Sequence, residues 1–238
     1  MEILYITLLT ILASAVGTLT GFGTSTIMVP VLLLFMPLPQ TLLLVGIIHW
    51  FGDIWKMLLF RKGFNWRLIL LFGATGIIAS YAGANIVFSV SGQVLSQILG
   101  GFLILYALFI FLKPAFKIPQ TNLTALGGGA LSGFLAGVLG VGGAVRGAFL
   151  SAFDLPKAVY LATAGAIGFF VDITRLTAYI ANGVKLEPAL LWGFVLFISA
   201  SLLGAKWAQK IVHHIPQKKF RALIAVFLLL VGLKFLIF

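Results

Sequence analysis

Two pairs of opposite charge stand inside otherwise apolar stretches of this chain, Asp53 with Lys56 and Asp172 with Arg175. Spacings of three and four residues share one face of a helix. Gly46, His49, Asp53 and Lys56 therefore form one stripe, and Gly165, Gly168, Asp172, Arg175 and Tyr179 form another. Arg146 is a further cation in an apolar stretch. Ionisable residues within hydrocarbon are costly and mark substrate routes or proton relays. The plainer alternative is that each Asp is neutralised by its own i, i+3 cation and merely fixes packing, and the residues alone weigh the two about evenly. Lys56, Arg146 and Arg175 against Asp53 and Asp172 leave one spare positive charge with His49 neutral, which suits a single small anion. His49 has an unperturbed pKa of about 6.5 and suits proton coupling, although a lone histidine is more often a packing residue.

The other chemistries are disfavoured one by one. With no cysteine, thiolate metal sites, disulfides and cysteine nucleophiles are excluded. No G-x-S-x-G elbow is present, and His49 is the only histidine in an apolar segment, so an enzyme is not expected. His213 and His214 sit in a basic loop. No cluster has metal-ligand spacing, and no G-x-x-x-x-G-K-[ST] loop offers ATP drive, so neither metal nor cofactor is expected.

The elements that must hold these residues follow from composition. The 238 residues are 61% hydrophobic and 9% charged, against about a quarter charged in an ordinary soluble domain. Long apolar runs recur throughout, so the expected fold is an all-α polytopic membrane protein. The net charge of +11 would raise nucleic acid as a partner in a soluble protein. Here it is better explained by basic cytoplasmic loops, and the partner is the lipid bilayer. The apolar start before Ala13-Ser14-Ala15 is not read as a signal peptide, because it carries Glu2 in place of a basic residue and continues past the apparent cleavage site.

An offset of 119 residues superposes Gly21 on Gly140, Gly23 on Gly142, Gly46 on Gly165, Asp53 on Asp172 and Lys56 on Arg175. The chain is therefore expected to be two structural repeats, residues 1–118 and 119–238. Apolar segments run near 3–20, 22–36, 40–60, 66–88 and 93–112, then 121–139, 142–153, 157–181, 187–211 and 217–238. The first two of each half are short and divided by glycine, either one broken crossing or a hairpin, re-entrant or fully spanning. Hairpins make the halves inverted and place Arg61, Lys62, Arg67, Lys113, Lys117, Lys157, Lys206, Lys210, Lys218, Lys219 and Arg221 on the cytoplasmic side, with both termini outside. Single crossings would put the Lys206 to Arg221 cluster outside, against the positive-inside rule.

The glycine breaks, residues 17–26 and 133–143, suggest unwound backbone, which membranes tolerate only inside protein or beside a cavity. Each exposes the N-terminus of a following half-helix, whose free N–H groups attract anions. Expected substrate contacts are Gly21, Gly23, Thr24 and Ser25 at the first break, with Thr26 a further hydroxyl, and Gly140, Gly142, Gly143 and Arg146 at the second. The expected charge or proton pathway is His49, Asp53, Lys56, Asp172 and Arg175.

Gly21-Phe22-Gly23-Thr24-Ser25 leading into Val29-Pro30-Val31-Leu32, and the second-half Gly137-Val138-Leu139-Gly140-Val141-Gly142-Gly143, resemble the sulfite exporter TauE/SafE family. The resemblance covers essentially the whole chain through its repeat. It implies a permease of the bacterial inner membrane for small sulfur-containing anions such as sulfite, sulfonates or sulfoacetate. Two departures stand out: Phe149 takes the place of Pro30, and Arg146 stands opposite Ile27. The expected function is a secondary transporter working by alternating access between inverted repeats, with a proton or other coupling ion. An anion channel, an intramembrane enzyme or a structural membrane protein are the rivals, and homo-oligomerisation stays open.

Overall fold

The structure, a computed structural model, describes residues 2–21, 23–60, 63–112, 119–211 and 217–237, with the side chains of 110, 211 and 217–224 excepted. Phe22, Arg61, Lys62, Lys113, Lys117, His213 and His214, and the side chains of Lys218, Lys219 and Arg221, lie outside the described residues. Among the described residues ten helices run in chain order: α1 (Glu2–Thr20), α2 (Ser25–Leu32), α3 (Leu38–Leu59), α4 (Trp66–Ile86), α5 (Gly92–Leu112), α6 (Asn122–Leu139), α7 (Gly142–Ser151), α8 (Lys157–Ala181), α9 (Pro188–Ile211) and α10 (Gln217–Ile237). They fall in the ten apolar segments expected, and no strand occurs among the described residues.

Among the described residues seven helices, α1, α3, α4, α5, α6, α8 and α9, are long and apolar enough to cross a membrane. Their polarity is inverted relative to a soluble protein. Trp192 is 83% exposed and Leu123 79%, whereas Asp53, Lys56, Asp172 and Arg175 are all buried. An apolar outer surface with charges inside is stable only where lipid replaces water, and the chain is an integral multi-pass membrane protein.

Local chemistry explains the helix ends. Asn65 caps α4 by accepting from the Leu68 N–H at 3.1 Å, and Thr121 caps α6 by accepting from Thr124 at 3.1 Å. Pro37 and Pro156 precede α3 and α8 with extended ψ values of 146° and 138°, as a helix entry allows. The two glycine breaks terminate alike. The Gly21 N–H donates to Gly17 O and the Gly140 N–H to Ala136 O, both at 3.0 Å. Both glycines are left-handed, at φ 78° and 71°, the conformation that ends a helix and that side chains with a Cβ resist.

After each break the chain doubles back. Ser14 meets Thr24 at 3.4 Å, Thr10 donates to Met28 Sδ at 3.8 Å, and the Tyr5 and Phe35 rings lie 5.9 Å apart, so the return leg descends antiparallel along α1. In the second half a Cβ at Gly142 would strike the Ser132 carbonyl, while one at Gly128 would meet Phe149 at 2.8 Å, again antiparallel. Each break is therefore a helical hairpin and not one interrupted crossing.

Between the halves, α1 packs on α9, α4 on α6, α5 on α10 and α3 on α8. Small residues let these backbones approach: a Cβ at Gly133 would strike the Gly76 carbonyl, and one at Gly204 the Ile11 carbonyl. The α3–α8 contact is antiparallel and reciprocal. His49 meets Asp172 while Asp53 meets Gly168, and an offset of 119 turns each pair into the other.

The bundle has two distinct ends. At one, the Asn65 N–H donates to Thr163 Oγ1 at 3.0 Å, Gln209 Nε2 to Leu59 O at 3.1 Å and Arg67 Nη2 to Asn122 Oδ1 at 2.6 Å. At the other, Asn182 Nδ2 donates to Asn85 Oδ1 at 3.1 Å. Because the chain lacks cysteine, single cysteines report sidedness cleanly. Gln120→Cys and Lys210→Cys should react with an impermeant thiol reagent from the cytoplasmic side, and Lys185→Cys from the opposite side. Labelling of Gln120→Cys and Lys210→Cys from different sides would contradict the arrangement.

Candidate functional site

The middle of α3 faces the middle of α8, and the buried charges meet there. Lys56 Nζ donates to Asp53 Oδ1 at 2.7 Å and Arg175 Nε to Asp172 Oδ1 at 2.7 Å, so the i, i+3 pairs expected from spacing both form. Each carboxylate also receives a partner from the other half of the chain. His49 Nδ1 lies 2.6 Å from Asp172 Oδ2, and Arg146 Nη2 lies 3.8 Å from Asp53 Oδ2.

These cross-half contacts differ in kind. The His49–Asp172 contact is a short hydrogen bond in which the carboxylate accepts from Nδ1–H. The Arg146–Asp53 separation is too long for one. Asp53 Oδ2 sits 3.6 Å from His49 Nδ1 and 3.8 Å from Arg146 Nη2, and bonds to neither. Asp53 Oδ2, Arg146 Nε and His49 Nε2 are all buried without a hydrogen-bond partner among the described residues. Buried polar atoms are otherwise nearly always satisfied, so these unmet groups stand out.

The first break lies against this cluster. A Cβ at Gly23 would sit 2.5 Å from His49 Nε2, so the backbone entering α2 passes directly over the unpartnered nitrogen. Thr24 packs towards α3 beside Gly52, with its hydroxyl 3.4 Å from Ser14 Oγ. Ser25 is buried in the first turn of α2, and Gly21 abuts the Tyr160 ring.

The second break is engaged differently. Arg175 Nη1 adds a donor at 3.4 Å to Ala136 O, which the Gly140 N–H already engages, and the Tyr179 hydroxyl donates to Gly137 O, a carbonyl that the end of α6 would leave open. Gly142 abuts Ser132 and Ala136 of α6, Gly140 abuts Leu42 and Val29, and Gly143 is buried in the first turn of α7. From the second half it is Arg146 that stands beside the unmet Asp53 oxygen, at 3.8 Å. Lys56 and Arg175 each donate to a carboxylate, whereas Arg146 Nε and His49 Nε2 are buried with no partner among the described residues.

Sequence spacing did not foretell the His49–Asp172 bond, whose members are 123 residues apart, nor the role of Gly168. Gly168 occupies the position equivalent to His49, and a Cβ there would collide with Asp53 Oδ2 and stand 2.8 Å from Arg146 Nη2. Setting the two charged stripes antiparallel would have revealed both.

Folding also gathers His49, Asp53 and Asp172, whose ligand atoms lie within 4.8 Å of one another. Taken alone this trio could hold a cation. Lys56 and Arg175 already donate to its two carboxylates and Arg146 adds a third positive charge, so the donor set is pre-empted and the local balance favours an anion.

Gly168→Ala should destabilise the protein by about 1–3 kcal/mol, because the added methyl must displace the Asp53 carboxylate or the Arg146 guanidinium. Thermal unfolding in detergent should show a clear fall in Tm, whereas Gly127→Ala, with open space around its Cβ position, should leave Tm near that of the parent. Equal Tm in both variants would contradict the packing described.

No curated protein matches the chain at a significant level. The family of sulfite exporters TauE/SafE matches over residues 6–235, nearly the whole of a sequence whose structure has just been shown to be a multi-pass helical bundle with a charged interior. The chain belongs to the sulfite exporter TauE/SafE family.

Proposed function

We propose that the protein is a secondary transporter of small oxyanions, sulfite and organosulfonates such as sulfoacetate among them, and that the anion sits between the first glycine break and Arg146. The observation that carries this is a pair of buried unmet atoms, His49 Nε2 beside the N-terminus of α2 and Arg146 Nε on the guanidinium that faces Asp53. An oxyanion there would accept from Arg146 and from the freed N–H groups of the half-helix, the recurring geometry for anionic substrates at broken membrane helices. Arg146 bonds to no carboxylate closely, so its guanidinium edge is available for oxygen atoms.

Membership of a sulfite exporter family supports sulfur oxyanions as the substrate class. Alternating access between inverted repeats is supported by the hairpin at each break and by the reciprocal α3–α8 contact, since a self-complementary contact of this type is what a twofold axis generates. With hairpins, the ends carrying Arg67 and Lys210 face the cytoplasm, residues 1–118 and 119–238 are the two inverted units, and both termini lie outside. The bacterial inner membrane is the proposed location.

Purified protein in proteoliposomes should exchange external labelled sulfite for internal unlabelled sulfite with saturable counterflow. A channel would dissipate the gradient without counterflow. Arg146→Ala should weaken sulfite binding roughly ten- to hundredfold, because a charge-assisted hydrogen bond contributes about 1.5–3 kcal/mol. Arg146→Lys should fall between the two, since it keeps the charge but not the planar fork. Equal affinity across the three in folded protein would remove Arg146 from the site.

A further inference from the structure

His49 is held in one protonation pattern by its neighbours. Asp172 Oδ2, 2.6 Å from Nδ1, can only accept as a carboxylate, so the imidazole hydrogen of the neutral ring resides on Nδ1. Nε2 then carries a bare lone pair. That lone pair points at Gly23 and the α2 N-terminus, without a partner, in a residue only 2% exposed.

A lone pair repels an oxyanion, whereas an Nε2–H donates to one. The two forms of His49 therefore differ in whether the α2 terminus can accept an anion. The surroundings make the added charge tolerable once an anion is present. On α3 itself His49 is faced by Asp53 and Lys56, from α8 by Asp172 and Arg175, and from α7 by Arg146. The helix α2 contributes no charged group, and Glu2, in the first turn of α1, is the only one on that helix. A proton on Nε2 raises the cluster from one spare positive charge to two, and a bound monoanion restores it to one.

We propose that His49 Nε2 takes up one proton together with one singly charged sulfonate or bisulfite head group, so that the site loads and unloads the two as a pair. This rests on the transporter reading above and assigns its coupling ion. The proton comes from solvent on the side to which the site is open, resides on Nε2 while Nδ1–H stays bonded to Asp172, and returns to solvent on the other side when the anion leaves. Arg146 supplies the permanent charge and His49 the conditional one. Gly168, the equivalent of His49 in the second half, has no side chain, so there is one such switch between the two α3-type stripes.

The test uses the full-length protein and methanesulfonate, which carries no titrating proton of its own near neutral pH. Calorimetric titration in buffers of different ionisation enthalpy should show about one proton taken up per anion bound, and at alkaline pH the affinity should fall about tenfold per pH unit. His49→Gln places a permanent N–H donor near the Nε2 position, so its binding should be flat with pH and take up no proton. In proteoliposomes with the membrane potential clamped, a gradient of one pH unit should sustain about tenfold methanesulfonate accumulation by the wild type and none by His49→Gln. Should His49→Gln fail to fold, the wild-type proton count alone decides. Methanesulfonate binding without proton uptake, or no methanesulfonate binding beside intact sulfite counterflow, would overturn the inference and leave the transporter standing. Absence of counterflow with every anion would overturn the transporter reading itself.

Discussion

The contact on which the structure turns is the hydrogen bond between His49 and Asp172, made where α3 and α8 cross at mid-depth. Two carboxylates buried in a membrane interior must each be compensated, because an unpaired charge in hydrocarbon is costly. Each obtains a cation from its own helix, Lys56 for Asp53 and Arg175 for Asp172. Those pairs each lie within a single helix. The bond from His49 forms only when the halves come together, so it fixes how α3 and α8 register against each other.

That register has consequences on both sides. It brings Gly168 against Asp53, where no larger residue fits, and so leaves a carboxylate oxygen facing Arg146 without a bond. It also turns the far edge of the imidazole towards Gly23, at the place where α1 has ended and α2 has not yet begun. The same helix–helix contact thus satisfies one carboxylate fully and the other incompletely. An incompletely satisfied pair is a weak structural device but a suitable binding one, since a ligand completes it.

Much of this was legible in the sequence because membrane helices obey few rules. Segment lengths located the ten helices, the offset of 119 found the matched charges, and periodicity put Asp53 with Lys56 and Asp172 with Arg175. Positive residues favoured hairpins over broken crossings, and the Ser14–Thr24 and Tyr5–Phe35 contacts agree. The crossing of α3 and α8 was not legible, because no local pattern states which face meets which across 123 residues. For the same reason the two glycine breaks looked equivalent. In the folded chain Arg175 and Tyr179 close the second break, while the first stays open to His49.

The proposed site places an oxyanion between Gly23, His49 Nε2 and Arg146. Its most direct test is a structure determined from crystals grown with selenite, the heavier congener of sulfite, using the anomalous signal of selenium. One anomalous peak is expected within hydrogen-bonding reach of both His49 Nε2 and the Arg146 guanidinium, lost in the Arg146→Ala variant. A peak at any other place in the bundle, with these atoms still unpartnered, would contradict it.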